Sequence, residues 1–249
     1  MTVKPFDEVL ASVADVEGWM SPDQARRLYD AARTAAPGQR IVEIGSFRGR
    51  SMIVLASAAE PGVELIAIDP HAGNDRGPQE IEGFAAEAED DHDVFNRNLA
   101  EAGVADRVRH VRSFSDAALV DVPGAAQVLY VDGAHRYAPA RADIRDWGAR
   151  VEPGGTMLIH DSFSSVGVTL AILRELVWSD RWRYVGRARS MTEYRRDLPA
   201  GLAARLANAA RQAAQLPWFA KNLAIKVLLS LKLGGVLQRI TGREPEWPY

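Results

Sequence analysis

Two stretches of this chain set an acid and an imidazole close together at the end of an apolar run. Leu129-Tyr130-Val131 leads into Asp132-Gly133-Ala134-His135, and Met157-Leu158-Ile159 leads into His160-Asp161-Ser162. Both runs have the length and composition of buried strands. In an open α/β sheet, ligands gather outside the carboxyl ends of the strands. Adjacent strands would carry Asp132, His160 and Asp161 to one rim, where two carboxylates and an imidazole could hold a divalent ion. His135 would stand beside them as a general base, because its ordinary pKa lies near neutrality. A single histidine is more often a satisfied loop or core residue. Two of them beside two acids on neighbouring strand ends favour the chemical reading.

A second group of residues reads as a nucleoside cradle. Val42-Glu43-Ile44-Gly45-Ser46-Phe47-Arg48-Gly49-Arg50-Ser51 puts a glycine turn between a strand and a helix. Such a turn lets a ligand approach the backbone, and the helix behind it offers unpaired N–H groups. The spacing is not G-x-G-x-x-G, since Ser46 and Phe47 fill the middle, and a dinucleotide pyrophosphate needs the second glycine. Glu43, just inside the strand end, suits a cationic ligand better. Standing alone, this motif could be a plain tight turn. Asp69, at the end of Ile66-Ala67-Ile68, lies 20 residues past Gly49. A carboxylate there can accept both hydroxyls of a ribose. Arg112-Ser113-Phe114-Ser115 closes a third strand and could frame an adenine, a weak signal because loops are rich in serine.

Positioning these residues takes alternating strands and helices. Apolar runs at Arg40–Ile44, Glu64–Ile68, Val108–Val111, Gln127–Val131 and Thr156–Ile159 are each of strand length, and helical stretches separate most of them. That spacing predicts βαβ units and a parallel sheet buried on both faces. After a helix near Val166–Trp178, the segments Trp182–Arg187 and Met191–Arg195 read as a hairpin. The expected fold class is α/β: a Rossmann-like, doubly wound, mostly parallel seven-stranded sheet with an antiparallel terminal hairpin and helical segments at both ends. Near the start, Ser21-Pro22-Asp23-Gln24 is a helix start with a capping box. Leu28, Ala31 and Ala32 then share one face, and Pro37-Gly38 is the expected stop. The chain divides into a helical segment over 1–38, a cofactor domain over 39–197 and a basic helical extension over 198–249.

Composition narrows the classes. The 249 residues carry 30 Lys+Arg against 33 Asp+Glu, a net charge of −3, with 47% apolar residues and no Cys. Disordered and fibrous classes are excluded, as are disulfide scaffolds, iron–sulfur clusters and thiol nucleophiles. The opening residues carry Asp7 and no apolar core, so no signal peptide is expected. No apolar run reaches spanning length, and the expected location is cytoplasmic. Between Pro70 and Phe95 stand eight acids and one arginine, Arg76, a candidate lid or a solvated helix. His71 and Arg76 could touch substrate there. Between Leu198 and Arg243 stand seven Lys or Arg and no acid. The stretch 216–240 reads as a helix packed on the domain or across a dimer, its lysine stems snorkelling, in preference to one lying on a membrane. Its aliphatic character argues against nucleic acid.

In motif order from Ile41 to Asp161, and through the hairpin to about Arg195, the chain resembles the class I S-adenosylmethionine-dependent methyltransferases. The Asp132/His135 and His160-Asp161-Ser162 pair resembles the metal-dependent O-methyltransferases of sugars and antibiotic scaffolds, including the actinobacterial group that methylates mannose polysaccharides. The resemblance implies S-adenosylmethionine held by Glu43, Gly45, Ser46, Ser51, Asp69, Ser113, Phe114, Ser115 and Asp132. It also implies a divalent ion, Mg2+, on Asp132 and Asp161, and His135 as the base for an acceptor hydroxyl of a sugar or saccharide. Relatives carry Glu where this chain has His160. Magnesium prefers oxygen ligands, so His160 either joins a different metal or stands behind the ligands. A homodimer acting on a small-molecule or oligosaccharide acceptor is expected. The alternatives are an O-methyltransferase of a non-sugar natural product, a nicotinamide-dependent oxidoreductase, and a non-catalytic cofactor-binding protein. The missing middle glycine opposes the second, and the intact Asp132/His135/Asp161 set opposes the third.

Overall fold

Period-two burial decides the sheet. The computed structural model describes residues 3–72 and 85–231. In β1 (Arg40–Ile44), Ile41 enters one apolar layer while Val42 and Ile44 enter the other. β2 (Glu64–Ile68) and β4 (Ala126–Val131) alternate in the same way: Leu65, Ala67, Val128 and Tyr130 face the first layer, and Ile66, Ile68, Leu129 and Val131 the second. A sheet covered on both faces needs this near-continuous apolar reading. With β3 (Val108–Val111), β5 (Val151–Ile159), β6 (Arg183–Ala188) and β7 (Met191–Arg195), the order is β3-β2-β1-β4-β5-β7-β6. The first five strands pair in parallel, and β7 runs antiparallel to both β5 and β6. This is the expected seven-stranded Rossmann-like sheet.

Helices α1 (Phe6–Ser12), α2 (Pro22–Ala32), α3 (Arg50–Ala58) and α4 (Ala85–Glu101) cover the first layer, contributing Val9, Leu28, Met52 and Phe95. On the second layer lie α5 (Ser115–Asp121), α6 (Tyr137–Ala142) with the π turn Asp143–Trp147 that continues it, and α7 (Val166–Glu175). α2 begins with the expected capping box, Ser21 and Gln24 bonding reciprocally. It ends at Ala32, ahead of Pro37-Gly38, because the Thr34 hydroxyl and amide both bond to the Ala31 carbonyl and close the last turn. β5 starts five residues before the expected Thr156, extended through Pro153-Gly154-Gly155, with a register irregularity against β4 between Ala126 and Val128.

The register makes the rim. Ile44 pairs with Ile68 and Val131, and Val131 pairs with Ile159. The ladder continues one residue further: Gly45 N–H donates to Ile68 O, Asp132 N–H to Ile44 O and His160 N–H to Val131 O, all at 2.8–2.9 Å. Gly45, Asp132 and His160 therefore leave the sheet side by side. β1 sits between β2 and β4, so the crossovers run in opposite directions from it. This is the switch point where such sheets open a crevice.

Of the acidic segment, residues 73–84 and with them Arg76 lie outside the described residues. From Ala85 onward the acids belong to α4, which docks through Phe95 and Leu99 and buries Asp91 against Arg48 Nε at 2.8 Å. In the extension, α8 (Leu202–Ala213) turns its amides inward. Asn208 bonds Tyr184 N–H and Trp182 O at the edge strand, and Tyr194 O–H donates to Gln212. α9 (Leu216–Ser230) packs Trp218 and Phe219 on the second layer and leaves Leu223 and Val227 exposed. Among the described residues, no helix is long and apolar enough to cross a membrane.

Candidate active site

The turn after β1 is built around one close approach. Gly45 adopts φ +83°, and a Cβ there would lie 2.1 Å from the Asp132 carbonyl oxygen. Only glycine lets the loop pass over β4 at this height. Behind the turn, Glu43 points into the first layer, fully buried, with no hydrogen-bond partner of ordinary geometry for either oxygen. Burial pushes its pKa up to about 8. The Ser51 and Ser46 hydroxyls offset part of that rise, while the charges of Asp132 and Asp69 add to it. The Ser46 hydroxyl is itself buried without a partner. A carboxyl and a hydroxyl orphaned beneath a glycine turn fit the amino end of a cationic ligand, as the nucleoside-sulfonium reading requires.

Glu43 makes a pH prediction. The unfolded carboxyl ionises near 4.5 and the folded one near 8. Its stabilising contribution is thus full below pH 4.5 and is lost as pH rises towards 8, on the order of 4–5 kcal/mol over that window. Glu43→Gln removes the titration. The melting temperature of Glu43→Gln relative to the unsubstituted protein is expected to climb steadily between pH 5 and pH 8. A constant difference would mean that Glu43 is ionised and paired.

Asp69 serves the loop directly. Its Oδ2 accepts the N–H groups of Ser46 and Phe47 at 2.9 Å each, and Oδ1 accepts His71 N–H at 2.8 Å. The carboxylate that sequence reading assigned to a ribose thus also ties the glycine turn to the end of β2. Ser113, Phe114 and Ser115 stand on the adjacent rim. Phe114 is half exposed, while the Ser115 hydroxyl donates to the buried Asp143 and its carbonyl accepts Trp147 Nε1–H. Ser115 therefore holds the π turn in place and does not face the crevice with an unsatisfied hydroxyl. The ring of Trp147 and that of Tyr194 are core packing.

The acid–imidazole group assembles as its spacing predicted. The nearest atoms of Asp132, His135 and Asp161 all lie within 4.8 Å of one another. His135 Nε2 is 2.9 Å from Asp161 Oδ2, and His160 Nδ1 sits 3.2 Å from Asp132 Oδ1 and 3.3 Å from Asp161 Oδ2. Asp161 holds φ +52°, and Phe163 φ +56°. A left-handed non-glycine backbone is strained and persists only where its surroundings impose it. Here the Ser164 hydroxyl donates to Asp161 Oδ1, Ser162 N–H to Ser190 O, and from α9 the Asn222 amide and Lys226 ammonium donate to the carbonyls of Phe163 and Ser164.

Electrostatics sort the roles. Burial would raise Asp161, but the imidazoles of His160 and His135 hold it well below the usual carboxylate range. Burial would lower His135, and its bond to Asp161 with the charges of Asp161 and Asp132 outweighs this, so its pKa is raised. Tyr130, pushed far up by burial, keeps its proton and donates to Asp132 Oδ2 at 2.8 Å. For His160, burial pulls its pKa down and the two carboxylates push it up further. Its Nε2 faces the Gln24 amide nitrogen at 3.3 Å. The capping box fixes that amide, since Gln24 Oε1 accepts Ser21 N–H at 2.8 Å, and Gln24 Nε2 also donates to Ser190. Held between Asp132 and Asp161, which outweigh burial and raise its pKa well above the ordinary histidine value, the His160 ring keeps a proton on Nδ1, directed at the carboxylates. A ring nitrogen carrying that proton orients the acids and does not ligate an ion.

Gln24, Tyr130, Ser164, Asn222 and Lys226 were not among the expected site residues. Gln24 was legible only as a helix cap. Asn222 and Lys226 carried a faint signal, their i,i+4 spacing on one helix face.

Residues 42–162 match the family model described as a methyltransferase domain, a match that runs from Val42 of β1 to Ser162 just past β5. An uncharacterized protein of Sinorhizobium fredii is 29% identical over 129 residues, 50% of this chain and 13% of its own length, so the chain spans a small part of that relative. Three solved O-methyltransferases share the fold. The one from Bacillus cereus, in complex with SAH, superposes with TM-score 0.54 at 18% identity, covering 76% of this chain and 90% of that one. TomG from Streptomyces achromogenes, involved in tomaymycin synthesis and in complex with SAM, gives 0.52 at 19% identity, covering 79% and 92%. NovP gives 0.58 at 16% identity, covering 71% and 81%.

Proposed function

We propose that this methyltransferase domain is an S-adenosylmethionine-dependent O-methyltransferase, assisted by a divalent ion and acting on a hydroxyl of a sugar or saccharide acceptor. The observation that carries the reading is the convergence of Asp132, His135 and Asp161 on one point beside the Gly45 turn. The match to the methyltransferase family and the fold shared with solved O-methyltransferases support it. The two carboxylates, Asp132 and Asp161, offer the oxygen donors that a hard divalent ion such as magnesium prefers. When bound, S-adenosylmethionine supplies an electrophilic methyl group and the ion lowers the pKa of a coordinated hydroxyl.

The chain's own groups do the rest. Glu43 and Ser46 would receive the amino end of the cofactor beneath the turn, and Asp69 its ribose side. Asp132 and Asp161 would hold the ion, their oxygens aimed by Tyr130, Ser164 and the Nδ1–H of His160. His135 donates Nε2–H to Asp161, so Nδ1 is the nitrogen that accepts the acceptor's proton. The Asp161 charge then stabilises the imidazolium. Holding two reactants in one crevice supplies much of the remaining rate. Substituting His135→Ala is expected to lower kcat by about 10²–10⁴-fold while leaving S-adenosylmethionine affinity within a few-fold. A chelator is expected to silence the unsubstituted enzyme reversibly. Full turnover in His135→Ala, or indifference to the chelator, would remove this mechanism.

A further inference from the structure

At the far end of the sheet from the rim, where β5 starts, α7 ends and β6 starts, a cleft of about 390 Å³ opens between the π turn, α7 and α8. Four arginines line it: Arg145, Arg181, Arg196 and Arg205, beside the half-exposed Trp178. Two are answered by acids. Arg145 makes two hydrogen bonds to Asp146, and Arg181 lies 3.7 Å from Asp180. Glu175, the other acid of the lining, is taken by Arg141 from outside. Among the described residues, the hydrogen bonds of Arg196 and Arg205 go to carbonyls alone. Arg196 donates Nη1 to Ala149 and Val151, and Arg205 donates Nη2 to Trp178 O at 2.8 Å, with its guanidinium 5.5 Å from the Trp178 ring. Arg205 Nε is buried with no partner.

Among the described residues, Arg196 and Arg205 thus have no carboxylate counter-charge, in a cleft of ligand-pocket size. Guanidinium forks bind phosphate through paired N–H donors better than any other side chain. We propose that this cleft is an anion site for a phosphate-bearing ligand, gripped by Arg196 and Arg205 with Arg181 at the mouth. The phosphate could arrive on a free phosphorylated molecule or on a lipid headgroup. The neighbouring helix α8 exposes Leu202 and Leu206, so either source has physical access. The site stands apart from the methyl-transfer rim and does not depend on that function.

The test uses the full chain, titrated with inorganic pyrophosphate at fixed ionic strength by calorimetry. In parallel, the protein is sedimented with phosphatidylcholine vesicles containing or lacking phosphatidic acid. Saturable binding of pyrophosphate, or of phosphatidic acid vesicles alone, is expected, and the two arms identify the source. Arg196→Met and Arg205→Met are each expected to weaken binding at least about tenfold. Asp180→Asn, an exposed change, is expected to tighten it severalfold. The proposal is overturned if neither probe binds saturably, or if binding survives both arginine substitutions unchanged. Should those variants fail to fold, Asp180→Asn decides: tighter binding supports the site, and unchanged binding sinks it.

Discussion

Asp161→Asn is expected to cost methyl transfer roughly a thousandfold in kcat with little loss of fold. Asp161 accepts from His135 and Ser164 and stands 3.3 Å from His160 Nδ1. Its charge sits where an ion and an imidazolium would both need it. Asn keeps the shape and tolerates a left-handed backbone nearly as well as Asp, so φ +52° is not an added burden. The amide offers one oxygen acceptor and one nitrogen donor: with the nitrogen at the Oδ2 position it opposes both ring N–H groups, and with the oxygen there it keeps those contacts but carries no charge for an ion or an imidazolium. Calorimetry should therefore show loss of divalent-ion binding, with S-adenosylmethionine affinity within a few-fold and a melting temperature close to that of the unsubstituted protein. Asp161→Ala differs usefully, since it adds about 1–2 kcal/mol of left-handed strain and should lower the melting temperature as well. An Asp161→Asn enzyme with near-normal turnover would mean that the carboxylate is a turn residue and no more.

Gly45→Ala is expected to abolish cofactor binding and to destabilise the fold by about 3 kcal/mol or more. A Cβ at residue 45 would lie 2.1 Å from the Asp132 carbonyl oxygen and 2.5 Å from its carbon. Both are backbone atoms held by the Asp132 N–H to Ile44 O bond, so neither can swing aside. The turn must lift away from β4. Lifting it breaks the Ser46 and Phe47 bonds to Asp69 and displaces Asp132. Equilibrium binding of S-adenosylmethionine should fall by more than about a hundredfold, near 3 kcal/mol. Gly38→Ala is a fair control: it also has positive φ but no atom within 4 Å of an added Cβ. It should show the strain without the loss of binding. Equal behaviour of the two variants would show that the close approach is not what the cofactor needs.

The strands were legible because each is a short apolar run that alternates between two buried layers. The acid–imidazole pair was legible because strand ends in a parallel sheet share a rim. Where the reading stopped short, particular hydrogen bonds decided, one of them local and the others between distant elements. Pro37-Gly38 carries the usual helix-stop chemistry, yet Thr34 ended α2 sooner. Ser115 has the composition of a ligand loop, yet Asp143, 28 residues on, claims its hydroxyl. His160 reads as a plausible ligand until Asp132, 28 residues earlier and on the neighbouring strand, stands 3.2 Å from its Nδ1 and helps to hold a proton there.

What the amino-acid order determined by itself was local and periodic: the alternation that makes a doubly wound sheet, the glycine turn after the first strand, and the acids and imidazoles that end the fourth and fifth. What tertiary structure alone decided was the state of those groups. The raised pKa of His160, the strained turn under Asp161 and the buried carboxyl of Glu43 each depend on partners from distant elements. Burial and hydrogen bonding, unlike periodicity, act between residues that sequence separation does not place side by side.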